Sequence, residues 1–222
     1  MSVPAEYLAD SPVSYWRLGE PSGTEAADVK AANNGTYKGT PTLGAAGLLL
    51  ADPSTAATLN GTTQYVSVPD SASLDLGDVF TYEAWIKRSG TGKTDCIIDK
   101  GANAAVFRFD GEDHLLLRRN SVGDIAKSTT KITDTNAHHL VATKNGATAK
   151  IYIDGVDVTG AVTNQTCTNT AIALGIGASD AGTEDFFRGT IDEAAVYGTA
   201  LSAARVLAHY EAGTRRRRLG VI

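Results

Sequence analysis

Two acidic residues stand side by side in Ile191-Asp192-Glu193-Ala194, and any glycosidic chemistry would have to begin there. Hydrolysis of a glycosidic bond needs two carboxyl groups facing each other across a sugar. Regular strand alternation instead sends Asp192 and Glu193 to opposite faces, so the pair does not make such a site. The four histidines, His114, His138, His139 and His209, are scattered, and none belongs to a His-Glu-x-x-His metal pattern. No serine lies in a Gly-x-Ser-x-Gly elbow. Cys96 and Cys167 lack metal-ligand spacing. They form either one disulfide, in an oxidising compartment, or two buried thiols, and the second is the plainer expectation. The chain is therefore expected not to be an enzyme.

Charge and aromaticity point to binding instead. A net charge of −5 disfavours nucleic acid as a partner of the whole domain. Against that balance, Arg215, Arg216, Arg217 and Arg218 form a basic block close to the end. Four guanidiniums can hold phosphates or an acidic protein surface, while a solvated tail is the usual outcome for such a block. It is taken as a candidate docking element in a tail over residues 214–222, after a domain over residues 1–213. Tyr37, Tyr65, Phe186 and Phe187 are candidate surface aromatics for stacking on sugar rings, with Asp180, Glu184 and Asp185 on the adjoining loop. No apolar run approaches the roughly 20 residues of a membrane span, so membrane insertion is not expected. The opening residues Met1 to Glu6 lack the basic-then-apolar pattern of a secretory signal, which favours production without Sec export.

The elements that must position these groups are strands. Phe80, Tyr82, Ala84 and Ile86 alternate with Thr81, Glu83, Trp85 and Lys87, a period-2 pattern of a half-buried strand. Asn34-Gly35, Asn60-Gly61, Asp110-Gly111, Asn145-Gly146 and Asp154-Gly155 are candidate type I′ turns. They separate further strand-like stretches at 106–109, 114–117, 139–143, 149–153 and 156–158, with others at 14–18, 64–68, 171–176 and 190–196 and with Cys96 and Cys167 each placed within a strand. At least ten strands, short links and no βαβ rhythm predict an all-β, antiparallel two-sheet sandwich. One helix is expected near the end. Ser202 suits the N-cap, Leu201 can staple onto Val206, and Gly213 suits the position just past the last turn.

Three segments read together resemble a known family: Tyr15-Trp16-Arg17-Leu18-Gly19-Glu20 with Asn33-Asn34-Gly35-Thr36-Tyr37, then Phe80 to Lys87, then Phe187 to Tyr197 with Ala200-Leu201-Ser202. Their order is similar to that of the laminin G-like, concanavalin A-like jelly-roll domains, in the bacterial and phage branch. The resemblance implies a jelly-roll sandwich over roughly residues 5–212 and assigns Trp16 and Trp85 to the core. It also implies a structural Ca2+ ion held by Asp28, Asn33 or Asn34, and Asp192, carboxylate and amide oxygens being what calcium takes. The alternative is that Asp28 and the asparagines make Asx turns and Asp192 caps backbone amides. The Glu-x-Asp-x-Glu strand of concanavalin-like glucanases does not occur.

Fold alone does not select among the lectins, adhesins and virion proteins that share this architecture. The expectation placed first is a phage virion structural or display protein, a capsid decoration or minor tail protein, that docks to other virion proteins or to copies of itself and presents loops to a host glycan. The alternative is a secreted bacterial carbohydrate-binding or adhesion module with an extracellular location.

Overall fold

The computed structural model describes residues 2–50, 52–179 and 182–215. The chain opens with α1 (Val3–Ala9), β1 (Ser14–Trp16), β2 (Glu25–Ala26), β3 (Gly35–Lys38), β4 (Thr42–Ala45), β5 (Ala56–Asn60) and β6 (Tyr65–Val68). It continues through β7 (Val79–Arg88), β8 (Cys96–Asp99), β9 (Ala105–Phe109), β10 (His114–Arg119), β11 (Gly123–Lys131), β12 (Ala137–Asn145) and β13 (Thr148–Ile153). The last elements are β14 (Val156–Asp157), β15 (Thr159–Val162), β16 (Leu174–Ile176), β17 (Arg188–Tyr197) and α2 (Ala203–Thr214).

These strands form the two-sheet antiparallel sandwich that the alternation predicts. One sheet has the order β14-β13-β12-β7-β17-β5-β4, with β1 also paired to β17; the other runs β15-β11-β10-β9-β8-β16-β6-β3-β2. Between them Trp16, Phe80, Tyr82, Phe107, Phe109 and Phe187 pack in a single apolar layer. The alternation of β7 explains its place at the centre. Phe80, Tyr82, Ala84 and Ile86 enter that layer, while Trp85 on the other face joins a second cluster with Tyr7, Tyr15, Val141, Tyr197 and Val206 beneath the helices. Each fully buried Val, Leu, Ile or Phe side chain among these contributes about 1.5–3 kcal/mol relative to exposure. Both tryptophans are core residues, as the resemblance implies.

The helix α2 begins where expected. Ser202 Oγ accepts from the Arg205 N–H at 3.4 Å, and Leu201 and Val206 share the second cluster. Gly213, however, lies inside the helix, not beyond it, and Thr214 is its last residue. No periodicity marks α1, whose seven residues are too few to show it; Pro4 in its first turn is the one local signal.

Of the five turn dipeptides, Asp154-Gly155 has positive φ at both residues, 52° and 78°, with Ile153 paired to Val156, as a type I′ hairpin requires. At Asn145-Gly146 the register differs: Asn145 pairs with Thr148, leaving Gly146 and Ala147 as the loop, with positive φ at Gly146. Asn34-Gly35 makes no hairpin turn. Gly35 starts β3, and a Cβ there would sit 2.5 Å from Val66 Cγ1. Cys96 and Cys167 are both free and buried. Cys167 lies in the β15–β16 connection rather than in a strand, its N–H donating to Asp78 Oδ1 at 3.0 Å.

Candidate functional site

Strand alternation along β6 sends Val66 and Val68 inward and leaves Tyr65 partly exposed on the outer face of the nine-stranded sheet, beside its cross-strand neighbour Lys38. The connection from β16 to β17 folds back over that face. Gly177 N–H donates to Ile97 O at 3.0 Å, Cys96 N–H to Asp185 O at 2.8 Å, and Ser179 N–H to Glu184 O at 2.9 Å. The Asp185 carboxylate pairs with the Arg108 guanidinium on β9. Lys93 Nζ donates to Gly61 O at 2.8 Å and to Phe186 O at 3.2 Å. These anchors set the Phe186 ring 6.1 Å from Tyr65 at an interplanar angle of 64°, an edge-on pair. Gly182 rests on the same phenol ring: a Cβ there would come within 2.0 Å of Tyr65 Cζ.

The structure thus brings together Tyr65, Glu184, Asp185 and Phe186. It does not bring in Tyr37 or Phe187. Tyr37 is an inward residue of β3, buried, with its hydroxyl donating to Glu20 Oε2 at 2.6 Å; burial and the Glu20 carboxylate push the phenol pKa well up. Phe187, one residue past Phe186, alternates into the core. Asp180 lies outside the described residues. Alternation in β9 could have marked Arg108 as outward-facing; Lys38 and Lys93 carried no signal beyond charge.

The proposed calcium ligands are otherwise engaged. Asp28 is buried and accepts four backbone N–H bonds, from Tyr15 and Lys30 at 2.9 Å each on Oδ1 and from Ala32 at 3.2 Å and Asn33 at 2.9 Å on Oδ2. Asn34 Oδ1 accepts from the Asp28 N–H at 3.0 Å, and Asn33 Nδ2 donates to Ser14 Oγ and Ser73 Oγ at 2.7 and 2.9 Å. This is the Asx-turn arrangement. Asp192 stands elsewhere, with Oδ2 accepting from the Leu48 N–H at 2.9 Å. Burial, opposed by that bond and by Arg17, pushes its pKa up to about 7. Among the described residues no cluster of three or more His, Cys, Asp or Glu side chains could hold a metal ion.

Asp192 and Glu193 also depart from simple alternation. A bulge between Asp192 and Ala195 adds a residue, and Glu193 takes φ 51°. Ile191 and Ala194 both enter the inter-sheet core, so both acids turn to the other side. There Arg17 Nη2 reaches Glu193 Oε1 at 2.9 Å and Asp52 Oδ1 at 2.6 Å. Both carboxyl side chains are buried and present no acid–base pair to a groove. Arg215 lies outside the platform as well. Its guanidinium meets Glu211 Oε2 at 2.5 Å one helical turn back, and Arg216, Arg217 and Arg218 fall outside the described residues.

Comparison with known proteins agrees with this fold. The chain aligns over 90% of its length, and 98% of the other, with domain 4 of AbnA, an extracellular arabinanase of Geobacillus stearothermophilus solved with arabinotriose (TM-score 0.70, 19% identity). The binding domain of Paraclostridial Mosquitocidal Protein 1 matches at TM-score 0.69 and 15% identity, over 92% of this chain and 52% of that one. Trypanosoma rangeli sialidase in complex with sialic acid matches at TM-score 0.64 and 12% identity, over 91% of this chain but a third (33%) of the sialidase. No curated protein sequence matches. The family model described as the concanavalin A-like lectin/glucanases superfamily matches residues 60–207, two thirds of the sequence, and the chain belongs to that superfamily.

Proposed function

We propose that this chain is a non-catalytic carbohydrate-binding module, working outside the cell, whose site is the Tyr65–Phe186 platform. One observation carries the reading. Of the fifteen aromatic side chains, only Tyr65, Phe186 and Tyr210 are not buried, and the first two touch. A fold that buries nearly all its rings gains nothing for its core from these two, whereas a partly exposed ring pair beside charged groups suits the apolar face and the hydroxyls of a sugar. The arabinotriose bound to the arabinanase domain supports this class of ligand. The burial of Asp192 and Glu193 supports binding without hydrolysis. Docking of a virion protein through Arg215–Arg218 is the second reading; of that run only Arg215 is described, at the end of α2 in an exposed pair with Glu211. The test is affinity for arabinotriose and for neutral oligosaccharides on an array. Tyr65→Ala and Phe186→Ala should each lower affinity tenfold or more, about 1.4 kcal/mol, with little change in melting temperature. Undiminished binding by both variants would reject the platform.

A further inference from the structure

A groove lies on the opposite face of the sandwich from the Tyr65–Phe186 platform. On the outer side of the eight-stranded sheet, Lys87 of β7 pairs in register with Thr190 of β17, which pairs with Thr58 of β5, so three polar side chains form one row across three strands. Strand spacing of about 4.8 Å spreads the row over roughly 10 Å. The segment Ala45–Leu48 makes one wall of the groove, and Ser89 and Thr135 line the other side. That wall is fixed closely: Leu48 N–H is bonded to Asp192, and a Cβ on Gly47 would stand 2.2 Å from Ser54 O.

The chemistry of the groove is one cation among hydroxyls. Lys87 is exposed, and no ion pair or hydrogen bond engages its ammonium among the described residues. The neighbouring Arg88 cannot share this role, because its guanidinium turns inward to Asp95 at 3.0 Å and Asp113 at 2.7 Å. Thr58 Oγ1 and Thr190 Oγ1 lie 2.9 Å apart, which uses one of their two hydroxyl hydrogens and leaves the other, with spare lone pairs, to face a ligand. The Asp192 carboxyl beside the wall is buried and bonded to the Leu48 N–H.

We propose that this groove is a second ligand site and that it takes the carboxylate-bearing ring of an acidic glycan. The Lys87 ammonium meets the carboxylate, and the Thr190–Thr58 row meets ring hydroxyls. A phosphate fits less well, since phosphate recognition relies on arginine forks or converging backbone N–H groups, and the groove offers a single lysine. No aromatic side chain lines it, so specificity here comes from charge and hydrogen bonds, in contrast to the Tyr65–Phe186 platform.

The two sites fail separately. Trigalacturonate, its neutral counterpart galactotriose, and inorganic phosphate are titrated by calorimetry into the full chain and into Lys87→Ala, Lys87→Arg, Thr190→Val and Tyr65→Ala. The expected result is that trigalacturonate binds more tightly than galactotriose and weakens with added salt. Lys87→Ala should lose tenfold or more, Lys87→Arg should stay within a few-fold, and Thr190→Val should lose several-fold while melting normally. Tyr65→Ala should leave trigalacturonate binding unchanged. The site is overturned if wild type shows no trigalacturonate binding at millimolar concentration, or if Lys87→Ala binds it as well as wild type. It is equally overturned if Tyr65→Ala abolishes that binding, or if phosphate competes with equal affinity.

Discussion

His209 Nδ1 lies 2.9 Å from Oε1 and 3.1 Å from Oε2 of Glu83, so the buried face of α2 is bonded to the central strand of the eight-stranded sheet. On the other side of the ring, Nε2 meets Asp10 Oδ2 at 2.8 Å, at the end of α1. Tyr7 stacks on the same imidazole at 4.6 Å, and His139 Nε2 reaches Glu83 Oε1 at 2.6 Å. A neutral imidazole has one N–H and can donate to only one of the two carboxylates; the imidazolium donates to both. The geometry therefore calls for a charged His209, with both helices held to the sheet through it. An ion buried this way adds stability only while its partners stay in place.

A pH dependence follows from that arrangement. Burial alone would lower the His209 pKa, but the Glu83 and Asp10 carboxylates override it and hold it above the ordinary 6.5. A folded pKa above the unfolded one gives stability that is complete below 6.5 and fades as pH rises through the raised value. Burial likewise favours neutral Glu83, but His209 and His139 outweigh it and hold this carboxyl well below its usual 4.5, so its contribution fades on the acid side. His138, raised by Asp154, and Asp192 also titrate in this range, so the readout is a difference. The gap in melting temperature between wild type and His209→Gln should be constant from about pH 5 to 6.5 and shrink at higher pH. A gap that widens toward alkaline pH contradicts a charged His209.

Gly213 makes a separate test of how tightly α2 sits. A Cβ at this position would fall 2.3 Å from Trp85 Cζ2 and 2.9 Å from Cε2. Alanine in a helix interior is normally better than glycine by about 1 kcal/mol. Here the collision with a buried indole should reverse the sign, and Gly213→Ala is expected to destabilise by about 1–3 kcal/mol. Chemical denaturation measures it, and a stabilised variant would mean that the helix slides outward without cost.

Asp28 separates a structural carboxylate from a cation ligand. Replacing it with asparagine leaves one acceptor oxygen and puts an amide N–H against backbone donors that four bonds now satisfy. A loss of about 2 kcal/mol or more is expected, since hydrogen bonds to a charged group are worth about 1.5–3 kcal/mol each. The loss should be the same in calcium and in chelator. If wild type instead melts higher in calcium and Asp28→Asn abolishes that rise, the loop is a calcium site.

Much of the fold is legible in the sequence because it is written in local patterns. Phe80 to Lys87 states its own period, and Asp154-Gly155 states its own turn. Ser202 and Leu201 announce α2 in the same way. What could not be read depends on contacts far apart along the chain. Gly213 looks like a helix terminator until Trp85, 128 positions earlier, is set against it. Asp192 and Glu193 look like alternating strand residues, and only the bulge against β7 puts both on one side. Tyr65 and Phe186 could be picked as surface aromatics, but so could Tyr37 and Phe187, because strand phase in short segments is set by partners rather than by composition.

The loop that carries Phe186 offers the last test, because its anchor lies outside the core. Arg108 and Asp185 are each about one-fifth exposed (19%), so their ion pair is partly hydrated and adds about 1 kcal/mol or less to global stability. Its larger effect is on position: it fixes a left-handed residue, Asp185 at φ 51°, directly before Phe186. Arg108→Ala should therefore melt close to wild type while the loop loosens. Amide hydrogen exchange reads this directly at Ser179, whose N–H bonds to Glu184 O at 2.9 Å, and at Thr183, bonded to Ser179 O at 3.1 Å. Both should exchange faster, and arabinotriose affinity should fall several-fold as Phe186 leaves Tyr65. Gly182→Ala pushes from the other side, through the 2.0 Å approach to Tyr65 Cζ, and should weaken the same ligand without touching the ion pair. If exchange in the loop stays unchanged in Arg108→Ala, the backbone bonds to Ile97 and Cys96 hold the loop by themselves, and the ion pair has no part in presenting the ring.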